Sequence, residues 1–375
     1  MHWFLNRVPH LLILAMAFSA PGAEPAQQAR GRQFIGIDSF DGFVESRGTQ
    51  PGEAVLTSPV LRTRIRFDEV IISWNAELGQ ESYLRVEARA VYSEENTKYY
   101  TLGLWSKNPA RHARQSVAHQ GDADGDVSTD TLILRRPAER LQIRLTVGAE
   151  GSGKGALRFL GVSLTDTNVE LSELPPNQKA WGKLISVPER TQMIYPNGKT
   201  LCSPTTVSML MGYWAQILKR PELDSPVPKI VDAIYDSEWK GAGNWPFNMA
   251  YAGSFPGMRA YVARFGDVSE LESWIAQQLP VGLSVDYDRL RAKGPGPNGH
   301  LVVLVGFTPH GDPIINDPGT LEHVRKVFPR KNLVDAWACS RNTVYLVYPR
   351  NSAQPDDPFG HWDSGVPASA IPVPK

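Results

Sequence analysis

Leu141-Gln142-Ile143-Arg144-Leu145-Thr146-Val147 alternates apolar and polar side chains through the whole stretch. That period sends one set of side chains to a buried face and the other to a wet one, which an extended strand can do and a helix cannot. The same period holds in Arg64-Ile65-Arg66-Phe67 and in Leu84-Arg85-Val86-Glu87-Ala88-Arg89-Ala90. Further strand-like runs are Glu69–Trp74, Tyr99–Trp105, Thr131–Leu134 and Leu157–Val162, each bounded by turn residues. No helical period is sustained between Phe34 and Thr165. Residues 34–168 are therefore expected to form an antiparallel β-sandwich of jelly-roll type. Within them, Asp122-Ala123-Asp124-Gly125-Asp126 spaces carboxylates as a calcium loop begins. The twelfth position is Ile133 where a Glu is needed, so a solvated Asp-Gly hairpin turn is the expectation.

Composition bounds the rest. A chain of 375 residues suggests two domains. Its 42% hydrophobic and 21% charged residues exclude a disordered or fibrous chain. Lys+Arg and Asp+Glu both number 39, so the broad basic surface of a nucleic-acid binder is not expected. Two cysteines exclude a disulfide-dense scaffold and a Cys-built zinc site. His310, Asp312 and His323 fit no metal spacing, and no metal or cofactor is expected. Residues 1–23 have a basic start, a short apolar run at Leu11–Phe18 and small residues up to Ala23, the layout of a secretory signal peptide. No other apolar stretch approaches membrane-spanning length, so the mature chain is expected to be exported, to the periplasm or beyond, without a transmembrane segment. Residues 350–375 are rich in Pro and poor in apolar side chains, and are expected to be a disordered tail.

Between the halves, residues 165–189 hold Glu173-Leu174-Pro175-Pro176-Asn177 and no clear period, which reads as a hinge with a boundary near 170. The C-terminal half is expected to fold as a unit by itself. There the chemistry concentrates. In Leu201-Cys202-Ser203-Pro204-Thr205-Thr206-Val207, Ser203 is a favoured N-cap and Pro204 a favoured first helical residue. Val207, Leu210, Met211, Trp214, Ile217 and Leu218 then recur at helical spacing, so a buried helix is expected to run to about Leu218. Cys202 falls at its N-terminus, where unpaired N–H groups and the helix dipole lower a thiol pKa. A thiolate is the nucleophile that acyl transfer needs.

A base must accompany it. Of eight histidines, His300 follows the loop Gly294–Gly299 and opens Leu301-Val302-Val303-Leu304-Val305, an apolar run fit for a central strand. Asp312–Pro318 reads as a return strand ending in Asp317, which can hold the tautomer of an imidazole on the neighbouring strand. Trp245, in a Gly- and Pro-rich segment, is a candidate wall of a substrate cleft. Cys339 has no basic neighbour in sequence and reads as a buried packing residue; a disulfide to Cys202 would silence the site.

Gln192, Leu201–Thr206, Gly299-His300-Leu301-Val302-Val303 and Asn316-Asp317-Pro318 together resemble the C39-like, papain-fold cysteine peptidases of bacteria. The resemblance spans Val187 to Pro349, and Asn244–Asn248 and Thr343–Pro349 resemble members that stand alone as exported proteins. It implies Cys202 as nucleophile, His300 as general base, Asp317 as its orienter and Gln192 as an oxyanion-hole donor. Ser203 departs from the pattern, standing where a Gly usually follows the Cys. The best-known members are leader-peptide proteases fused to transporters; this chain has no transporter segment, so their double-Gly substrate is not carried over.

The expectation is thus an α+β protein: an N-terminal jelly-roll-like β-sandwich, then a papain-like peptidase domain over 180–349, a helix packed on an antiparallel sheet. It hydrolyses a peptide or amide bond in a peptide or protein substrate, while the sandwich offers a surface for a carbohydrate or cell-wall ligand. Two rivals stand beside it: a transglutaminase-like acyltransferase with the same Cys, His and Asp, and a non-catalytic envelope binding protein that works through the sandwich.

Overall fold

The computed structural model describes residues 30–148, 157–357 and 361–363. The signal-peptide reading of residues 1–23 lies outside them. The alternating half is made of strands: β1 (Arg32–Ile37), β2 (Val44–Arg47), β3 (Glu53–Thr57), β4 (Leu61–Ala76), β5 (Tyr83–Ala90), β6 (Tyr100–Ser106), β7 (Gly125–Ser128), β8 (Thr131–Gly148) and β9 (Leu157–Thr165). β8 organises them by changing partners along its length. Its first residues pair with β7 and β4, and its last with β3 and β5, which curls the sheet. Thr131–Leu134 and Leu141–Val147, which read as two strands, are one. Pro137 interrupts the pattern without ending it, because the β4–β8 register slips where it stands, between Phe67 and Glu69, and a slipped position needs no ladder donor. The Asp122 loop is a side-chain-capped turn: the carboxylate accepts the N–H groups of Asp124 and Gly125 and the hydroxyl of Tyr100.

The second half contains α1 (Cys202–Leu218), α2 (Val227–Ile234), α3 (Trp245–Ala252), β10 (Met258–Arg264), α4 (Val268–Ala276), β11 (Val281–Asp286), α5 (Tyr287–Leu290), β12 (Gly299–Phe307), β13 (Pro313–Asn316), β14 (Arg325–Val327), α6 (Arg330–Trp337) and β15 (Thr343–Pro349). Its strands form one antiparallel sheet in the order β10-β15-β11-β12-β13-β14. The apolar run of β12 is buried from His300 to Phe307 because strands flank it on both sides and α1 packs on it. The molecule is therefore an N-terminal sheet joined to a C-terminal α+β half.

β4 reveals how the halves meet. It buries alternate residues from Leu61 to Phe67 and then every residue from Glu69 to Ala76. Burial on both faces means a second layer covers the wet side, and that layer is α3 and β10. Trp74 meets Phe247 edge-on at 5.9 Å, and Phe34 stacks on Tyr261 at 4.3 Å. Asn75 donates to the carbonyl of Ala260 (2.7 Å) and accepts its N–H (3.1 Å), while Ser73 Oγ accepts the N–H of Val262 (2.9 Å). Glu69, buried, pairs with Arg264 and with Arg341 (2.8 Å). The two sheets share one hydrophobic core, so the expectation of a self-sufficient C-terminal half is corrected: its interface would be left bare.

Two further expectations are corrected. The connecting segment is strapped down rather than a free hinge. Leu174 N–H donates to Asp267, Asn177 N–H and the Trp181 indole donate to the fully buried Glu272, and Gly182 N–H donates to Phe307 O. In the proline-rich stretch, β16 (Trp362–Asp363) pairs parallel with β1. Trp362 packs on Phe34, Phe265 and Trp274, which explains how a segment so poor in apolar residues docks: one indole supplies the buried area. Residues 364–375 lie outside the described part.

Candidate active site

Cys202 is the first residue of α1, two positions further into the helix than its sequence suggests. Leu201 takes the N-cap place and makes no side-chain cap. Ser203, expected to cap, turns inward instead: it is fully buried and its Oγ meets the Tyr345 hydroxyl at 2.8 Å, pinning the helix start to β15. With no side chain spent on capping, the Ser203 N–H is free to serve the Cys202 sulfur, which also receives the N–H of Leu301 at the opening of β12.

His300 and Asp317 come together through the β12–β13 hairpin. These strands pair antiparallel, with Val303 opposite Asn316, so His300 near the start of one faces the turn that follows the other. His300 Nε2 lies 2.8 Å from Asp317 Oδ1. The side chain of His300 also hydrogen-bonds Cys202. Because Asp317 occupies Nε2, Nδ1 is the ring atom left for the thiol. Cys202 is half-buried, and His300 and Asp317 are almost fully buried.

Burial by itself would raise the Cys202 pKa, but the His300 hydrogen bond and charge, with the two backbone N–H groups, outweigh it and hold the thiol below its ordinary value. Burial likewise opposes charge on His300, yet Asp317 and Cys202 raise it to about 9. Burial would also raise Asp317; His300, the Gly319 N–H and the Tyr287 hydroxyl hold it low. The three shifts together favour a thiolate beside an imidazolium, oriented by a carboxylate.

Sequence reasoning missed the shell around Asp317. Tyr287 donates its hydroxyl to Oδ2 (2.9 Å), Gly319 donates its N–H to Oδ1 (2.9 Å) and Lys326 Nζ stands 3.8 Å from Oδ2. The Tyr287 ring also lies on the imidazole, centroids 4.0 Å apart. Position 319 must be glycine for this packing, since a Cβ there would come within 2.8 Å of the Tyr287 hydroxyl and 3.1 Å of His300. The Gly after Pro318 was a legible turn signal; nothing in the sequence links Tyr287 to Asp317.

Gln192 is 2% exposed and tied by its N–H to Pro318 O (2.9 Å), the residue after Asp317. Its side-chain amide makes no hydrogen bond among the described residues, and Oε1 is buried without a partner, so the amide N–H groups remain available to an incoming oxyanion. The loop from Met193 to Leu201, between Gln192 and Cys202, borders a cavity of about 780 Å³ closed on the other side by Val231 and Tyr235 of the α2 region. Trp245 is not a wall of that cavity. It heads α3, packs against the core and donates its N–H to the buried Asp130 (2.9 Å), an anchor between the halves. Cys339 is exposed, which corrects its reading as a packing residue, and both cysteines are free thiols.

Among solved structures, one of infectious bursal disease virus, Gt strain, aligns at 11% identity and a TM-score of 0.21, covering 36% of this chain and 33% of its own. A xylan-binding module aligns at 16% identity and a TM-score of 0.18, covering 36% of this chain and 97% of its own. Likeness that weak carries no argument. No curated protein matches the chain. The family comparison is informative: residues 24–164 match the Peptidase C39 N-terminal domain, and residues 184–345 match the Peptidase_C39 like family, the half that holds Gln192, Cys202, His300 and Asp317. The chain belongs to the C39-like peptidase family, with the N-terminal domain that accompanies it.

Proposed function

We propose that this peptidase is a cysteine-type hydrolase, exported as the composition of Met1–Ala23 suggests, with a sandwich-like N-terminal sheet and a papain-like catalytic half. The observation that carries the reading is the unbroken run of contacts from Cys202 through His300 to Asp317. The Cys202 thiolate attacks the carbonyl carbon of a peptide bond, and the bond's π electrons move to oxygen. The Gln192 amide and the Cys202 N–H at the head of α1 receive that oxyanion. As it collapses, the C–N bond breaks and the His300 imidazolium gives its proton to the leaving amine. His300, now neutral, takes a proton from water, whose oxygen attacks the thioester; the thiolate leaves and regains its imidazolium partner. Asp317 keeps the ring aligned in every step. The substrate chain lies along the cavity beside Leu201 and Tyr235.

The test is to incubate the reduced full chain with a mixed peptide library and follow it by mass spectrometry after acid quench. Cleavage products and an acyl adduct on Cys202, both absent in Cys202→Ala, are expected. A product carrying an added amine in place of water would assign acyl transfer instead, and folded protein giving neither product nor adduct would reduce the chain to a binding protein.

A further inference from the structure

A second cavity, of about 430 Å³, lies between the halves and shares no lining residue with the site above. It is bordered by β1, the strapped linker and α6. Its volume suits a small organic ligand, and Leu171, Leu174, Val334 and Trp337 give it apolar walls.

Arg32 of β1 lines this cavity and is 6% exposed. Its Nη1 donates to two backbone carbonyls, of Gly31 (3.0 Å) and Asp166 (3.4 Å), and its Nε is buried without a partner. Among the described residues no carboxylate is in ion-pair contact with it. Of the acids nearby, Glu173 lines the cavity but is exposed, and the others are engaged elsewhere: Glu69 with Arg264 and Arg341, Glu270 with His361, Glu272 with Arg330, and Asp267 with Arg30 and the Leu174 N–H. Burial, with the charges of Arg264 and Arg341, lowers the Arg32 pKa to about 10 against the opposing pull of the Glu69 and Glu270 charges, which still leaves the guanidinium charged at neutral pH. A buried charge is costly unless an opposite charge meets it, and Arg32 stands in the wall of the cavity.

We infer that this cavity binds a small organic carboxylate, its charged end on Arg32 and its apolar body against Leu171, Leu174, Val334 and Trp337. The inference does not depend on the chemistry proposed for Cys202. Isothermal titration of the full chain with 4-phenylbutyrate and with its uncharged amide tests it. Saturable binding of the acid is expected, weaker for the amide and for Arg32→Met by about tenfold or more, the worth of one charge-assisted hydrogen bond. Circular dichroism melting checks that the variant folds. If Arg32→Met does not fold, Val334→Trp, which fills the cavity and keeps Arg32, should abolish binding. Absence of saturable binding of the acid, equal affinity for acid and amide, or full affinity in Arg32→Met or Val334→Trp would each overturn the inference.

Discussion

Tyr287 donates its hydroxyl to one oxygen of Asp317 while His300 holds the other, and its ring lies against the same histidine. One side chain thus fixes both members of the pair that serves Cys202. Tyr287→Phe keeps the ring and removes the hydroxyl. A hydrogen bond to a charged, buried group is worth about 1.5–3 kcal/mol, so kcat should fall by about 10–100-fold with KM little changed. Tyr287→Ala, losing ring and hydroxyl, should be worse. Steady-state kinetics with one peptide substrate decide it; unchanged kcat in Tyr287→Phe would make the contact purely structural.

The pH dependence follows from two opposite shifts. In the proposed mechanism the working form pairs a thiolate with an imidazolium. Its acid limb is protonation of Cys202, whose pKa is lowered, and its alkaline limb is loss of the His300 proton, whose pKa is raised to about 9. A plot of kcat/KM should rise from acid pH, plateau and fall near pH 9. In Asp317→Asn the main support for the His300 charge is gone, so the alkaline limb should move down by about one unit or more, with kcat falling up to about 10⁴-fold. An alkaline limb that stays in place would detach Asp317 from His300.

Gln192→Ala removes the proposed oxyanion donor, whose side chain makes no hydrogen bond among the described residues. The expected loss is about 10²–10³-fold in kcat, with thiol reactivity retained, since Gln192 is absent from the groups that shift Cys202. Parallel measurement of turnover and alkylation separates the two effects. A variant that loses both would place Gln192 in the fold of the site rather than in its chemistry.

Glu69 neutralises Arg264 across the interface between the halves. Glu69→Gln leaves that buried guanidinium without its carboxylate and should lower stability by about 3–5 kcal/mol in denaturant titrations. The two halves should still unfold in one transition. A fragment of residues 170–357, which strips the cover from Phe247 and Tyr261, should be far less stable than the intact chain; a fragment as stable as the whole would contradict a shared core.

Much of this arrangement was legible because it is local. Period-two runs located strands, and helical spacing after Cys202 found α1 to its last residue, Leu218. Cys202, His300 and Asp317 were singled out because each stands where a motif meets an element boundary. What escaped was everything set by packing between distant segments. Glu69–Ala76 is buried on both faces only because α3 and β10 cover it, and a strand cannot announce its cover. Ser203 satisfied every local rule for an N-cap, yet Tyr345 claims its hydroxyl from another strand. Tyr287 stands thirty positions from Asp317 with no spacing to connect them. The linker and Trp362 failed for the same reason, since low apolar content predicts disorder only when no preformed surface waits for the few apolar groups present.

The most direct measurement of the central claim, that Cys202 is held as a thiolate by His300, is the rate of iodoacetamide alkylation at each cysteine against pH, read by peptide mass spectrometry. The exposed Cys339 is the internal comparison. Cys202, though half-buried, should label faster than Cys339 near pH 6, and His300→Ala should abolish that advantage. Equal slow labelling of both thiols in the folded, reduced chain would contradict the account.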